Sequence, residues 1–308
     1  MKRFLFLLLS SATVFRVSAS HVSFDTPTTD RWMYPFNSTP GTRSSAPVFG
    51  APGTEGFDER DGQFLVGFDT SGEIQTGLGA SAYHVTSATL TLRHDGGDFV
   101  YDPTTDGYQT YLDSGASGYQ ADSDAGRPLE LFGAGYRNGY DAESFGETGA
   151  FGPGAPAAGT RNVYPVGFDG NGNAVDVSNS LDYAHGGANG FTPVSFGVGT
   201  AVGLSAGDTV TAGTEFVFDL NLSSPWVEGF LREQLHGGNA SFVVASFHPA
   251  SQGGPAIYPS FETKENIVGQ SGTLHIEYDI VPEPETFGLM LFAGLLLYRF
   301  RFHRRDGA

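Results

Sequence analysis

The chain has no cysteine among its 308 residues. That excludes disulfides, thiolate metal sites, cysteine nucleophiles and a lipid-modified N-terminal cysteine, and it leaves packing alone to hold the fold. Regular helix is disfavoured as well, because 44 Gly and 17 Pro together make up about a fifth of the residues. Basic residues are scarce. There are 16 Lys and Arg against 34 Asp and Glu, and seven of the 16 (Lys2, Arg3, Arg16, Arg299, Arg301, Arg304 and Arg305) lie at the extreme ends. Between residues 20 and 280, nine basic residues face 31 acidic ones. Such a body is repelled by phosphate backbones, so nucleic acid is not an expected partner, whereas cations and neutral or basic glycans stay open. The eight His residues show neither H-x-H nor H-E-x-x-H spacing, and no Gly loop with its Lys is present to cradle a phosphate. A zinc hydrolase therefore has no support.

Large apolar side chains are plentiful: aromatic residues make up 13% of the chain and include 26 Phe, enough to build a core. Several segments alternate with period two, the mark of half-buried strands. In Thr214–Leu222 the residues Phe216, Phe218, Leu220 and Leu222 share one face. In Thr273–Ile280 they are Leu274, Ile276, Tyr278 and Ile280, and in Thr86–Arg93 they are Ala88, Leu90 and Leu92. Gln63–Phe68 and Ala240–Phe247 are further β-rich runs. One helix is predicted, with Ser224 as its cap, Pro225 in its first turn, an apolar stripe of Trp226, Val227, Phe230, Leu231 and Leu235, and Gly237 at its end. Trp226 reads there as a core anchor. Residues 101–200 hold 20 of the Gly and no long alternating strand, so they are expected to be a loop-rich insertion. The reading is an all-β fold, an antiparallel β-sandwich or jelly roll spanning residues 20–280, with long Gly-rich inserted loops and one short helix.

The two ends read as addresses. Lys2 and Arg3 precede the apolar stretch Phe4–Phe15, and Val17 and Ala19 suit the positions that signal peptidase reads. Residues 1–19 are expected to be a secretory signal peptide, with an uncleaved anchor as the alternative. At the other end Pro282, Glu283 and Pro284 precede the apolar run Phe287–Tyr298, which is followed by Arg299, Arg301, Arg304 and Arg305. Twelve helical residues reach about 18 Å against roughly 30 Å of hydrocarbon. Snorkelling by Arg299 and Arg301 extends a transmembrane helix over 286–302. The Arg cluster orients the C-terminus toward the cytoplasm, and the signal peptide delivers the body outside.

This tail resembles the PEP-CTERM sorting signal of Gram-negative bacteria, in which a Pro-Glu-Pro motif, a short transmembrane helix and a terminal Arg cluster occur in that order. The resemblance covers residues 281–308. It implies an exosortase-type processing enzyme as partner, a precursor held in the inner membrane, and a mature form at the cell surface or in the extracellular matrix. An ordinary tail-end anchor is the alternative. The early Arg299 and the dispersed basic residues depart from the pattern. The body shows a second resemblance. Asp30-Arg31-Trp32, Val66-Gly67-Phe68-Asp69, Val85–Leu92, Phe261–Asn266 and Leu274–Tyr278 follow one another as in the DNRLRE-type jelly roll, although the name-giving motif is missing. That likeness implies a surface protein, and some relatives bind polysaccharide.

Three features carry candidate chemistry. Gly203-Leu204-Ser205-Ala206-Gly207 matches the G-x-S-x-G nucleophile elbow, but the strand-like Asp208–Thr211 follows where that motif needs a helix, so a simple turn is expected. Asp169, Asn171, Asn173 and Asp176 place oxygen donors in a Gly-rich turn. They are candidates for a hard cation such as Ca²⁺, with a solvated Asn/Gly turn as the alternative. Asp122 and Asp124 beside Gly126 are a second, smaller carboxylate pair. Finally, Tyr101, Tyr108, Tyr111, Tyr119, Tyr136, Tyr140 and Tyr164 either stack on sugar rings or pin long loops to the sandwich. Together these readings point to a non-enzymatic, exported protein associated with exopolysaccharide. The alternatives are a carbohydrate-binding module and a polysaccharide hydrolase or lyase.

Overall fold

The structure, a computed structural model, describes residues 19–50, 61–111, 114–115, 117–153, 161–178, 194–249 and 256–281. The strands in chain order are β1 (Ser20–Phe24), β2 (Thr29–Met33), β3 (Ser45–Pro47), β4 (Gln63–Asp69), β5 (Tyr83–Arg93), β6 (Phe99–Asp102), β7 (Arg127–Tyr136) and β8 (Val163–Phe168). They continue as β9 (Ala174–Asp176), β10 (Gly197–Val198), β11 (Thr200–Ala201), β12 (Thr209–Val210), β13 (Glu215–Asp219), β14 (Asn239–Ser246), β15 (Ser260–Glu262) and β16 (Thr273–Ile280). Among the described residues the α-helices α1 (Ala142–Phe145) and α2 (Pro225–Gly237) interrupt them. The fold is all-β, as expected.

One sheet runs β1-β16-β5-β13-β11, and the larger runs β12-β6-β7-β14-β4-β2, with β8 and β10 also paired to β7. Nearly every pairing is antiparallel; β6 with β7 is parallel. The two sheets share one core. Leu90, Leu92, Phe216, Phe218, Leu274 and Ile276 of the first pack into the same buried cluster as Phe64, Val66, Leu131, Phe242 and Val244 of the second. Alternation explains why each strand presents that face. In β16, Leu274, Ile276 and Tyr278 are buried while Glu277 is exposed.

The larger sheet is covered on its other face too. Met33, Leu65, Ala134, Val163 and Val243 pack there under Phe145 of α1, and Phe132, Ala245 and Phe247 pack with Tyr111 and Val177. One part of the expectation for residues 101–200, that no long strand lies there, is corrected by β7. β7 is ten residues long and lies inside the larger sheet, between β6 and β14. It shows no alternation because both its faces are buried from Pro128 to Ala134.

Helix α2 agrees with its predicted start. The Ser224 side chain accepts from Val227 N–H, and Pro225 occupies the first turn. The helix ends at Gly237, as expected, and is capped by Gly238, whose φ of 83° is left-handed. Val227, Leu231 and Leu235 are buried in the shared core. Trp226 is not a core anchor. It is 36% exposed and lies over the turn at Gly172, where an added Cβ would come within 2.2 Å of its indole nitrogen. Helix α1 went unpredicted; Asp141 and Ser144 cap it reciprocally.

Candidate functional site

Asp169 closes its own turn. Its Oδ1 accepts from the N–H groups of Asn171 and Asn173, each at 2.8 Å, and its Oδ2 accepts from Asn173 Nδ2 at 2.8 Å. These bonds hold its carboxyl below the usual range, the Asn173 side chain contributing most. Asp176, at the end of β9, is ion-paired with Arg137 and accepts from Ser178 N–H at 3.0 Å. These bonds form an Asx turn, with the indole of Trp226 against it. The carboxylate oxygens of Asp169 and Asp176 accept hydrogen bonds within the loop and the ion pair of Arg137.

The tyrosines divide. Tyr101 and Tyr111 are buried, and Tyr136 and Tyr140 pack onto the Phe145 cluster. Tyr164 lies under Arg137, whose guanidinium carbon is 3.9 Å from the ring centroid. Tyr119 is 37% exposed, and the side chain of Tyr108 lies outside the described residues. Five of the seven therefore pin chain segments to the sandwich, where a sugar-stacking surface would need exposed faces. An aromatic group that the sequence reading missed lies elsewhere. Trp32 stacks on Tyr34 with ring centroids 4.5 Å apart, and Phe36, 53% exposed, meets Tyr34 edge-on at 5.7 Å.

Ser205 belongs to a turn between β11 and β12. Gly203 and Gly207 have φ of 80° and 89°, and Ser205 N–H donates to Asp208 Oδ2 at 2.7 Å. No helix follows, so the turn expectation holds.

Asp30 lies between segments distant in the chain. β2 pairs with β4, and Lys264 N–H donates to Asp30 Oδ2 at 2.6 Å. Around Asp30, which is fully buried, stand Glu147 and Glu265, and a carboxylate oxygen from each of the three lies within 4.8 Å of the others. The ammonium of Lys264 occupies this cluster: it is bonded to Glu147 Oε1 and lies 3.7 Å from Asp30 Oδ1. Burial pushes Asp30 up to about 7, against the pull of Lys264 and with the push of Glu147 and Glu265. Glu130 in β7 is likewise raised to about 7 by burial, opposed by a hydrogen bond to Ser195 and supported by the charges of Asp106 and Asp102.

A carboxyl whose folded pKa is raised contributes stability that is complete below its unfolded value, near 4, and is lost as pH rises through the folded value. Wild-type stability is therefore expected to lose these two contributions between about pH 4 and 7. Asp30→Asn with Glu130→Gln should flatten the urea midpoint across that window. An identical pH slope in the double variant would refute the assignment.

A cavity of about 440 Å³ opens against the outer side of β2, β4 and β14 and is lined by Thr29, Asp69, Ser71, Glu143, Asn239 and Ser241, among others. It is polar. Asp69 accepts from the hydroxyl and N–H of Ser71 at 2.6 and 2.9 Å, bonds that lower its pKa. Asn239 Oδ1 is buried without a hydrogen-bond partner. The volume suits a small ligand, and the lining offers hydroxyl, amide and carboxylate groups. Neither Asp30 nor Glu130, the two carboxyls raised to about 7, lines it.

Pro282, Glu283, Pro284, Arg299, Arg301, Arg304, Arg305 and Val17 lie outside the described residues, as does the predicted span 286–302; Ala19 is described and exposed. Among the described residues no helix is long and apolar enough to cross a membrane. Compared with known proteins, the chain matches no protein-family model and no curated protein.

Proposed function

We propose that the chain is the precursor of an exported, non-enzymatic surface or matrix protein, sorted by its C-terminal Pro-Glu-Pro, transmembrane and Arg signal and associated with exopolysaccharide. One observation carries this reading. β1 begins at Ser20, one residue after the predicted cleavage point, and β16 ends at Ile280, two residues before the sorting motif. The two strands lie side by side, with Ser20 opposite Tyr278, so both addresses leave the sandwich at the same pole. Val281 still donates to Ala82 O at 2.8 Å, which ties the chain to the body up to the residue before Pro282. A folded unit bounded in this way loses no strand when both segments are removed.

The jelly-roll form of the sandwich is part of the proposal. Its support is the way the chain changes sheets: β4 lies in the larger sheet, β5 in the smaller, β7 in the larger, β13 in the smaller, β14 in the larger and β16 in the smaller. The mature protein is expected to start at or near Ser20 and to lack its Arg-rich tail. Intact-mass measurement of material from the native host checks both ends, and recovery of a chain that keeps Met1 and Arg305 would overturn the reading.

The polar cavity favours a second reading, a carbohydrate-binding module. Retention of the protein on a column of host polysaccharide, lost on Asn239→Ala, would move the assignment there.

A further inference from the structure

Two chain segments bring four aspartates together where β6 ends. Asp102 is the last residue of β6 and Asp106 follows it, while Asp122 and Asp124 lie just before β7. A carboxylate oxygen from each of Asp102, Asp106 and Asp124 lies within 4.8 Å of the others. The basic group among them is Arg127. Its Nη1 donates to Asp106 Oδ2 at 2.7 Å and to Thr110 Oγ1 at 2.8 Å, and it lies 3.1 Å from Asp122 Oδ2. One guanidinium against four carboxylates leaves negative charge in excess.

Asp102 supplies the observation that points to a ligand. It is 3% exposed. Its Oδ1 accepts from the N–H and hydroxyl of Thr104 at 2.8 and 2.6 Å, but its Oδ2 is buried with no hydrogen-bond partner. Buried carboxylate oxygens are otherwise paired, hydrogen-bonded or bound to metal. The Thr104 hydroxyl, 3.3 Å from Asp124 Oδ2, links this carboxylate to the second segment. A cation would offset the repulsion among these carboxylates.

The local sequence suits the task. Asp102-Pro103-Thr104-Thr105-Asp106-Gly107 sets oxygen-bearing side chains at alternate positions and then a Gly, the spacing of positions one, three, five and six in a Ca²⁺ loop. Gly126, at φ 104°, lets the second segment approach. A Cβ there would lie 2.6 Å from Val100 O and 3.2 Å from Asp102 Cβ. All the donors are oxygens, which selects hard cations over transition metals.

We propose that Asp102, Asp106 and Asp124, with Thr104 beside them, bind one divalent hard cation of the Ca²⁺ class. The ion clamps the loop after β6 to the segment entering β7. The site is separate from the Asp169 turn, whose oxygens are already engaged, and from Asp30, where Lys264 supplies the positive charge.

The test is calorimetric titration of the chelator-treated full chain with CaCl₂, with Tb³⁺ luminescence excited through tyrosine as a second readout. One equivalent is expected to bind with a dissociation constant on the order of 10⁻⁴ M, the range of extracellular modules. Asp102→Asn and Asp124→Asn should each weaken it at least about tenfold, as expected when a charged ligand is lost, while Asp169→Asn should bind as the wild type does. Asp124 is exposed, so its variant keeps the test readable if Asp102→Asn does not fold. Absence of saturable binding, wild-type affinity in either folded variant of the site, or loss of binding in Asp169→Asn would overturn the proposal.

Discussion

Deleting residues 282–305 is expected to leave export intact and to abolish membrane retention of the precursor. On the proposed reading the N-terminal segment would drive translocation, while the apolar run and the Arg cluster would stop it. Replacing Arg299, Arg301, Arg304 and Arg305 together should weaken the orientation, because moving Arg through hydrocarbon is costly and holds the C-terminus inside. Pro282→Ala with Pro284→Ala should act differently. The helix and its Arg cluster stay, so the protein should still be held in the membrane while its processing fails. Fractionation and mass measurement in the native host separate these outcomes. A plain anchor predicts no effect of the double proline substitution, and that result would remove the sorting reading while leaving the cation site untouched.

The largest effect on stability is expected at Arg161, a fully buried cation on the outer side of the larger sheet. Its Nη1 donates to Gln63 Oε1, its Nη2 lies 3.2 Å from Asp61 Oδ2, and its guanidinium carbon is 5.1 Å from the centroid of Phe151. Gln63 Nε2 donates to the same Asp61 oxygen at 2.9 Å, so the three side chains form one network. Arg161→Ala removes the cation and with it the buried ion pair to Asp61, itself 3% exposed. Breaking a buried pair in this way costs about 3–5 kcal/mol. Replacing both partners by apolar groups, Arg161→Met with Asp61→Leu, should recover much of that loss, because the buried pair is then replaced as a whole. Urea midpoints measure both, with Arg43→Ala as an exposed control. A midpoint for Arg161→Ala no lower than that control would refute the account.

The parts of the fold that were legible in the sequence are those with one wet face. β13 and β16 alternate because one side of each meets the core and the other meets solvent, and α2 announces itself through Ser224 and Pro225. β7 was illegible for a physical reason. Both its faces are covered, and its glycines, which read as loop markers, are places where rings lie on the strand. A Cβ at Gly133 would come within 2.5 Å of the Phe230 ring, and one at Gly135 within 2.5 Å of the Tyr164 ring. The same holds for the tyrosines. In a Gly-rich stretch they suggest an exposed surface, but the glycines make room for rings that pack inward. The aspartate cluster was half legible. Asp122 and Asp124 were noted as a pair, and the spacing from Asp102 to Gly107 was there to be read. A ligand set emerges only when the chain brings the two segments side by side.

The pairing of the terminal strands also sets how the body bears tension. β16 lies between β1 and β5, antiparallel to both, and its last residue, Ile280, stands opposite Tyr83. A pull applied at Ile280 along the strand would run along β16 and shear its two ladders lengthwise. The hydrogen bonds to β5 and β1 would then share the load at once, whereas a pull across the strand would open them one after another. If β1 were stripped from the edge, β16 would still be held by its full-length pairing with β5. On the proposed reading, attachment at this pole would load both ladders of β16 in shear.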